Sequence, residues 1–192
     1  MLALLHLRLR ENRLADPRDS YRALFCEHFR FVCASLRRLG VRTSDVEDAA
    51  QEVFVIVHRR QNDIDPSRSL RPWLFGICLN VARALHRKSR RRKESGAEVS
   101  PDLRDRGPLP DEQLALLEDH SLLIEALDSL DFDRGAVFVM HTLSECTAAE
   151  IAETLSLPIN TVYSRLRIAR EEFDRAIHRL RLAKGDRLRS NR

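Results

Sequence analysis

Cysteine is scarce and unpaired in this chain: Cys26, Cys33, Cys78 and Cys146 are scattered, with no CxxC spacing. That argues against a disulfide scaffold and against structural zinc, and leaves buried, reduced thiols as the expectation. Glycine and proline are also few, 6 and 7 in 192 residues, and no segment alternates polar and apolar residues for long, so strands have little support. The opening "MLALLHLRLR" is apolar for only five residues before His6, Arg8 and Arg10 interrupt it. It lacks the longer apolar core and the cleavage site of a signal peptide. No stretch approaches the roughly 20 apolar residues of a membrane span. A cytoplasmic location without membrane insertion is the expectation. There is no HExxH, no Gly-rich phosphate loop and no carboxylate cluster at metal spacing. No catalytic residue, metal or cofactor is therefore expected.

What is present is helix. Apolar residues at 43% and charged ones at 32% mark a soluble globular chain long enough for one or two cores. The net charge of +4 is mild, so its distribution matters more than its total. Basic residues crowd into "HRKSRRRK" (86–93) and the tail 179–192, and acidic ones cluster around 45–52 and 111–119. The segment 95–112 gathers glycines, prolines and charges and reads as a flexible linker between two helical modules.

In the second module, "AAEIAETLSLPINTVYSRLRIAR" (148–170) is a helical pattern broken at Pro158 and restarted at once. Ile151, Ala152 and Leu155 are spaced for one helix face; Val162, Leu166, Ala169 and Phe173 are spaced for another. Thr147 and Glu150 have capping-box spacing, so the first of these helices has a defined start, and Pro158 suits the first turn of the second. Two helices joined so tightly predict a helix-turn-helix, whose second helix enters the DNA major groove. Asn160, Thr161, Tyr163, Ser164, Arg165 and Arg167 lie off the apolar stripe and suit base-edge and phosphate contact, with Arg165 expected at a base edge and Arg167 at a phosphate. An ordinary helical hairpin with a polar outer face is the alternative at this point.

The first module predicts three helices. Phe25, Phe29, Val32, Leu36 and Leu39 mark the first. Ser44 and Glu47 give capping-box spacing for the second, whose stripe is Val46, Ala49, Ala50, Val53, Phe54 and Val57. Asp48, Gln51 and Glu52 occupy another face, with Val55 and Ile56 beside them, as on a protein-binding surface or a solvated acidic face. The third helix starts near Pro72, buries Trp73, Leu74, Ile77, Val81 and Leu85, and carries Asn80, Arg83 and Arg87 elsewhere before running into Lys88–Lys93. A basic helix with an amide among its arginines suits nucleic acid.

"SDVEDAAQEVFVIVHRR" (44–60), "RPWLFGICLNVARALHRKSRRRK" (71–93) and "AEIAETLSLPINTVYSRLRIAR" (149–170), in that order and with a linker before the last, resemble a bacterial sigma factor of the small extracytoplasmic-function group. The resemblance covers roughly residues 20–93 and 114–182. It implies an all-α fold of two small helical domains: 1–94 binding core RNA polymerase and the minus-ten promoter element, a linker 95–113, a helix-turn-helix domain 114–183 for the minus-thirty-five element, and a basic tail 184–192. It implies that Asp48, Gln51 and Glu52 dock on the polymerase. It places Ile64, Trp73, Asn80, Arg83 and Arg87 at the minus-ten element, helping to hold its bases as a single strand. It places Asn160, Thr161, Tyr163, Ser164, Arg165 and Arg167 at the minus-thirty-five element. An anti-sigma partner is implied as well.

The chain departs from the pattern of the family it resembles in five places. Ile64 and Asp65 stand where relatives carry Phe-Arg-Gly. Asn160 and Tyr163 occupy positions that are often Gly and a basic residue. Ser156 replaces the usual inter-helix glycine, and Leu130-Asp131 replaces Leu-Pro. A stand-alone helix-turn-helix regulator would account for 147–170 but leave the first module unexplained. It would also usually need a dimer helix, and none is evident beyond the one expected to end near Leu182. A nucleic-acid-cleaving enzyme would need site chemistry that the sequence lacks.

Overall fold

A computed structural model describes residues 17–65, 67–94 and 111–190. The expected linker falls largely on 95–110, outside the described residues, as do residues 1–16. Seven α-helices are present among the described residues: α1 (Pro17–Arg38), α2 (Val46–Arg59), α3 (Leu70–Glu94), α4 (Asp111–Asp128), α5 (Phe132–Phe138), α6 (Ala148–Leu155) and α7 (Ile159–Ser190). No strand occurs among the described residues, and none of these helices is long and apolar enough to cross a membrane. The all-α reading holds.

Helices α1, α2 and α3 pack on one another around the predicted stripes. Val46, Ala49, Ala50, Val53, Phe54 and Val57 are all buried on α2. Phe54 meets Phe25 with ring centroids 4.6 Å apart, and the Tyr21 hydroxyl donates to the Phe54 carbonyl over 3.0 Å. The predicted capping box at Ser44 and Glu47 does not form. A 3₁₀ turn, Thr43–Asp45, occupies that place, Arg42 holds Asp45 at 2.7 Å, and Ser44 Oγ donates to Asp45 instead. The neighbouring carboxylate thus captures the hydroxyl that the spacing had assigned to a backbone N–H.

In the second module the capping box at Thr147 and Glu150 is complete. Thr147 N–H donates to Glu150 Oε2 over 2.7 Å, and Glu150 N–H donates back to Thr147 Oγ1 over 3.2 Å. Asp131, standing where relatives have proline, caps α5 by accepting from the Arg134 N–H. After α5 the chain loosens into one π-helical turn, Val139–Leu143, before α6. Ser156 ends α6 in the left-handed conformation, φ 53° and ψ 45°, and Leu157 N–H reaches back to the Ala152 carbonyl over 2.9 Å. The turn demands positive φ, which is why relatives use glycine there. Ser156→Gly should raise stability in urea unfolding by about 0.5–1 kcal/mol, because relief of left-handed strain exceeds the extra freedom given to the unfolded chain.

Helix α7 opens after Pro158, whose carbonyl accepts from Thr161 and Val162, and buries Val162, Leu166, Ala169 and Ala176. Phe173 packs on Phe138 at 4.8 Å, and Arg134 of α5 pairs with Glu172 at 3.0 Å. The helix does not end near Leu182. It continues to Ser190 through the stretch expected to be a basic tail.

One core runs through both modules, because α3 is buried more widely than its predicted stripe. Leu74, Phe75, Ile77, Cys78, Leu79, Val81 and Ala82 are all buried, an arc too broad for one neighbour. Helices α1 and α2 cover part of it and α6 another part. The thiols meet the expectation only in part: Cys78 and Cys146 are buried, with burial pushing their pKa values up to about 12 and about 11, whereas Cys33 is half-buried and Cys26 is exposed.

Candidate functional site

The predicted functional residues fall on three surfaces. The first is the outer face of α2. Residues 48, 51, 52 and 55 recur at helical spacing opposite the buried stripe, so the helix that packs Val53 and Phe54 inward necessarily turns them out. Asp48, Gln51 and Glu52 are exposed and make no hydrogen bond or ion pair among the described residues. Val55 beside them is 48% exposed. Two carboxylates and an amide with a bare apolar neighbour can accept hydrogen bonds from a donor-rich partner while burying a patch of aliphatic surface.

The second surface lies on α3 and the loop before it. Trp73 is half-buried in the first turn of α3, with the Arg60 guanidinium 5.9 Å over its ring. Asn80 is exposed two turns on, and Arg87 two turns further. Arg87, Lys88, Arg91 and Arg92 line a shallow depression along the end of the helix. Ile64 follows a 3₁₀ turn, Gln61–Asp63, and is half-buried. Asp65 accepts from both the N–H and the hydroxyl of Ser67, at 2.9 and 2.7 Å, which holds its carboxyl below the usual carboxylate range and orders this loop without the glycine of relatives. Arg83 behaves differently from its neighbours. It donates to Asp133 of α5 over 2.9 Å and lies 5.6 Å from the Phe132 ring.

The third surface is the start of α7. Helical spacing puts Asn160, Tyr163, Ser164 and Arg167 on one outward face, and all four are exposed, Tyr163 by 56%. Arg167 pairs with Glu171 at 2.7 Å, one turn on. Thr161 and Arg165 sit on the flank. Arg165 is half-buried, and its guanidinium is 3.9 Å from Asp133. Arg165 is thus the inward arginine and Arg167 the outward one. Among the described residues no group of His, Cys, Asp or Glu is placed to hold a metal ion.

The residues that sequence reasoning missed are Asp133, Glu153 and Arg68. Arg68 pairs with Glu153 of α6 and with Asp65. Single acidic residues on short helices give no periodic signal. The only hint is the width of the apolar face of α3, which implies a second neighbour.

The family described as Sigma-70 region 2 matches residues 24–92, and Sigma-70, region 4 matches residues 120–173. The chain is similar to RNA polymerase sigma factor CnrH of Cupriavidus metallidurans, 32% identical over 154 residues, covering 77% of this chain and 81% of that one. It is also similar to the extracytoplasmic-function sigma-E factor of Escherichia coli, 27% identical and covering 82% of this chain and 86% of the relative. Among solved structures it resembles CnrH bound to the cytosolic domain of CnrY, with TM-score 0.62, 24% identity and coverage of 91% of this chain and 96% of that one. It also resembles the sigma factor RpoE bound to the anti-sigma factor NepR from Bartonella quintana, with TM-score 0.63, 19% identity and coverage of 83% and 97%.

Proposed function

We propose that this chain, which belongs to the sigma-70 family as a factor of the extracytoplasmic-function group, performs transcription initiation through the three surfaces just described. The exposed Asp48, Gln51 and Glu52 dock core RNA polymerase. Trp73, Asn80, Arg87 and Ile64, with Arg83 once released from Asp133, hold the minus-ten element. Asn160, Tyr163, Ser164 and Arg167 read the minus-thirty-five element, flanked by Thr161 and Arg165. The observation that carries this reading is the exposure of the central members of each set: Asp48, Gln51 and Glu52 on α2, Asn80 and Arg87 on α3, and Asn160, Tyr163, Ser164 and Arg167 on α7 are all turned away from the stripe their own helix buries. Domain limits near 94 and 114 follow from the same division, with α4 already begun at Asp111.

The chain supplies binding and no reaction of its own. Polymerase carries the catalysis, and the factor acts where polymerase and promoter DNA are, in the cytoplasm. An anti-sigma protein is a further partner, carried over from the similar RpoE structure with its bound NepR. A stand-alone regulator has no observation in its favour, since it leaves the region 2 match over 24–92 without a role.

The upstream contact is tested with a promoter library transcribed by reconstituted polymerase. A bidentate Arg-to-guanine contact discriminates by about 1–3 kcal/mol, whereas a phosphate contact carries no sequence information. Arg167→Ala should therefore relax the upstream preference, and Arg165→Ala should weaken binding evenly across sequences. An upstream preference that survives both changes, and survives Asn160→Ala as well, would remove the readout role from α7.

A further inference from the structure

Four large apolar side chains are exposed among the described residues: Val55, Ile159, Tyr163 and Leu182. Two of the four lie together. Ile159 and Tyr163, 43% and 56% exposed, are four residues apart in the first turns of α7, so one helical turn sets them side by side. The polar groups around them are partly committed within the chain. Ser164 Oγ donates to the Thr161 carbonyl over 3.0 Å, which leaves only its lone pairs for a partner. Arg165 turns toward Asp133, and Arg167 pairs with Glu171. The Asn160 amide and the Tyr163 hydroxyl make no hydrogen bond among the described residues.

The first turns of a recognition helix are the part that meets base edges in the major groove. Every base pair offers hydrogen-bonding groups there, and thymine alone adds an apolar one, its C5-methyl. The adenine paired with it offers N6 and N7 in the same groove, which suit an asparagine amide. We propose that Ile159 and Tyr163 pack on thymine C5-methyl groups of the minus-thirty-five element, which makes Ile159 a specificity-determining residue beside Tyr163. This rests on the reading of α7 as the minus-thirty-five surface and adds the base feature that the surface selects. Tyr163 stands where the family often has a basic residue, a group suited to phosphate or guanine. The ring puts apolar area where that charge would be, and Ile159 extends the area toward the start of the helix. Asn160, next in sequence to Ile159, takes the adenine of the same or the adjacent pair.

The test uses polymerase holoenzyme formed with this chain and duplex promoter fragments recovered from a randomised library. Each thymine of the upstream element, on either strand, is replaced in turn by deoxyuridine, which pairs with adenine in the same way and lacks only the C5-methyl. Competition against a labelled fragment reads the relative affinity. In wild type the replacement should weaken binding about fourfold at one or two adjacent thymines, the effect of one buried methyl group. Ile159→Ala and Tyr163→Ala should each weaken binding to the thymine fragment and shrink the deoxyuridine effect to about twofold or less, as coupled partners do in a double-mutant cycle. Tyr163→Phe keeps the ring and should keep the full effect. Tyr163→Lys should lose it while steepening log K against log salt by about 0.9, one added phosphate contact. Both positions are exposed, so the variants should unfold close to the wild-type temperature.

Equal affinity for thymine and deoxyuridine at every upstream position overturns the methyl contact, and an upstream element that still responds to changes on α7 leaves the minus-thirty-five reading standing. A deoxyuridine effect of wild-type size in both alanine variants overturns it as well, as does an upstream element made only of G·C pairs. Weakened binding of both alanine variants to core polymerase without DNA, with no deoxyuridine effect in wild type, assigns the pair to a protein partner instead. A library that yields no shared upstream element overturns the methyl contact together with the minus-thirty-five reading.

Discussion

Glu52→Lys lowers the affinity of the chain for core RNA polymerase by about a hundredfold, because a like charge set against a basic surface costs several kcal/mol and each 1.4 kcal/mol is tenfold. The helix tolerates the change. Glu52 is exposed, makes no internal contact, and lies across α2 from the buried Val53, Phe54 and Val57, and lysine is as good a helix former as glutamate. Thermal unfolding should therefore match wild type. Gln51→Ala removes an amide without reversing a charge and should cost less, about threefold to tenfold, within the range of one hydrogen bond at an interface. Fluorescence titration of labelled chain with core polymerase measures both. Wild-type affinity in both variants would move the docking site off α2.

Asn80→Ala reduces open complexes on the preferred minus-ten element by about tenfold or more, the loss expected when one amide-to-base contact of 1–3 kcal/mol disappears. Asn80 is exposed in the middle of α3, between the Arg60–Trp73 stack and the basic strip at Arg87–Arg92. The amide offers two donors and an acceptor to an unstacked base, and the strip offers only charge. The two contributions separate experimentally. Asn80→Ala should act on the preferred element and spare a scrambled one. Neutralising Arg90, Arg91 and Arg92 together should lower melting on every promoter and flatten its salt dependence. Permanganate footprinting with core polymerase reads both. Equal losses on preferred and scrambled elements after Asn80→Ala would show that the amide reads no base.

The legible parts of the fold were those governed by local periodicity and local hydrogen bonds. The stripes of α2 and α7 and the cap at Thr147 depend on residues within one or two turns, and the structure places them as their spacing implies. Ser44 and Glu47 had equally good spacing and failed, because the adjacent Asp45 carboxylate takes the Ser44 hydroxyl and a 3₁₀ turn fills the place of the cap. Spacing does not rank competitors. The wide burial of α3 was not legible for a different reason. Phe75, Leu79 and Ala82 look like a second apolar face, and that face is dry because α3 packs on α6 as well as on α1 and α2 within one shared core.

The functional side chains divide the same way. Asp48, Gln51 and Glu52 are exposed and unpaired, as an outer helix face requires, and Asn160, Tyr163 and Ser164 share such a face on α7. Arg83 and Arg165 could not be placed from spacing. Their surroundings depend on Asp133, a residue fifty positions from one and thirty-two from the other in the chain. Ion pairs between segments far apart in the chain leave no periodic trace, so the inward turn of both arginines emerges only in three dimensions.

Reconstituted transcription brings all three surfaces to bear at once: core polymerase, this chain and a library of randomised upstream regions, with the transcripts sequenced. Transcripts should appear only when both proteins are present, initiating downstream of two shared elements separated by a fixed spacer, with the upstream element altered by changes on α7 and the downstream one by Asn80→Ala. Transcripts that do not depend on the chain would contradict initiation through these surfaces, as would start sites that share no element, or tight sequence-specific binding of the chain to duplex DNA with no effect on polymerase.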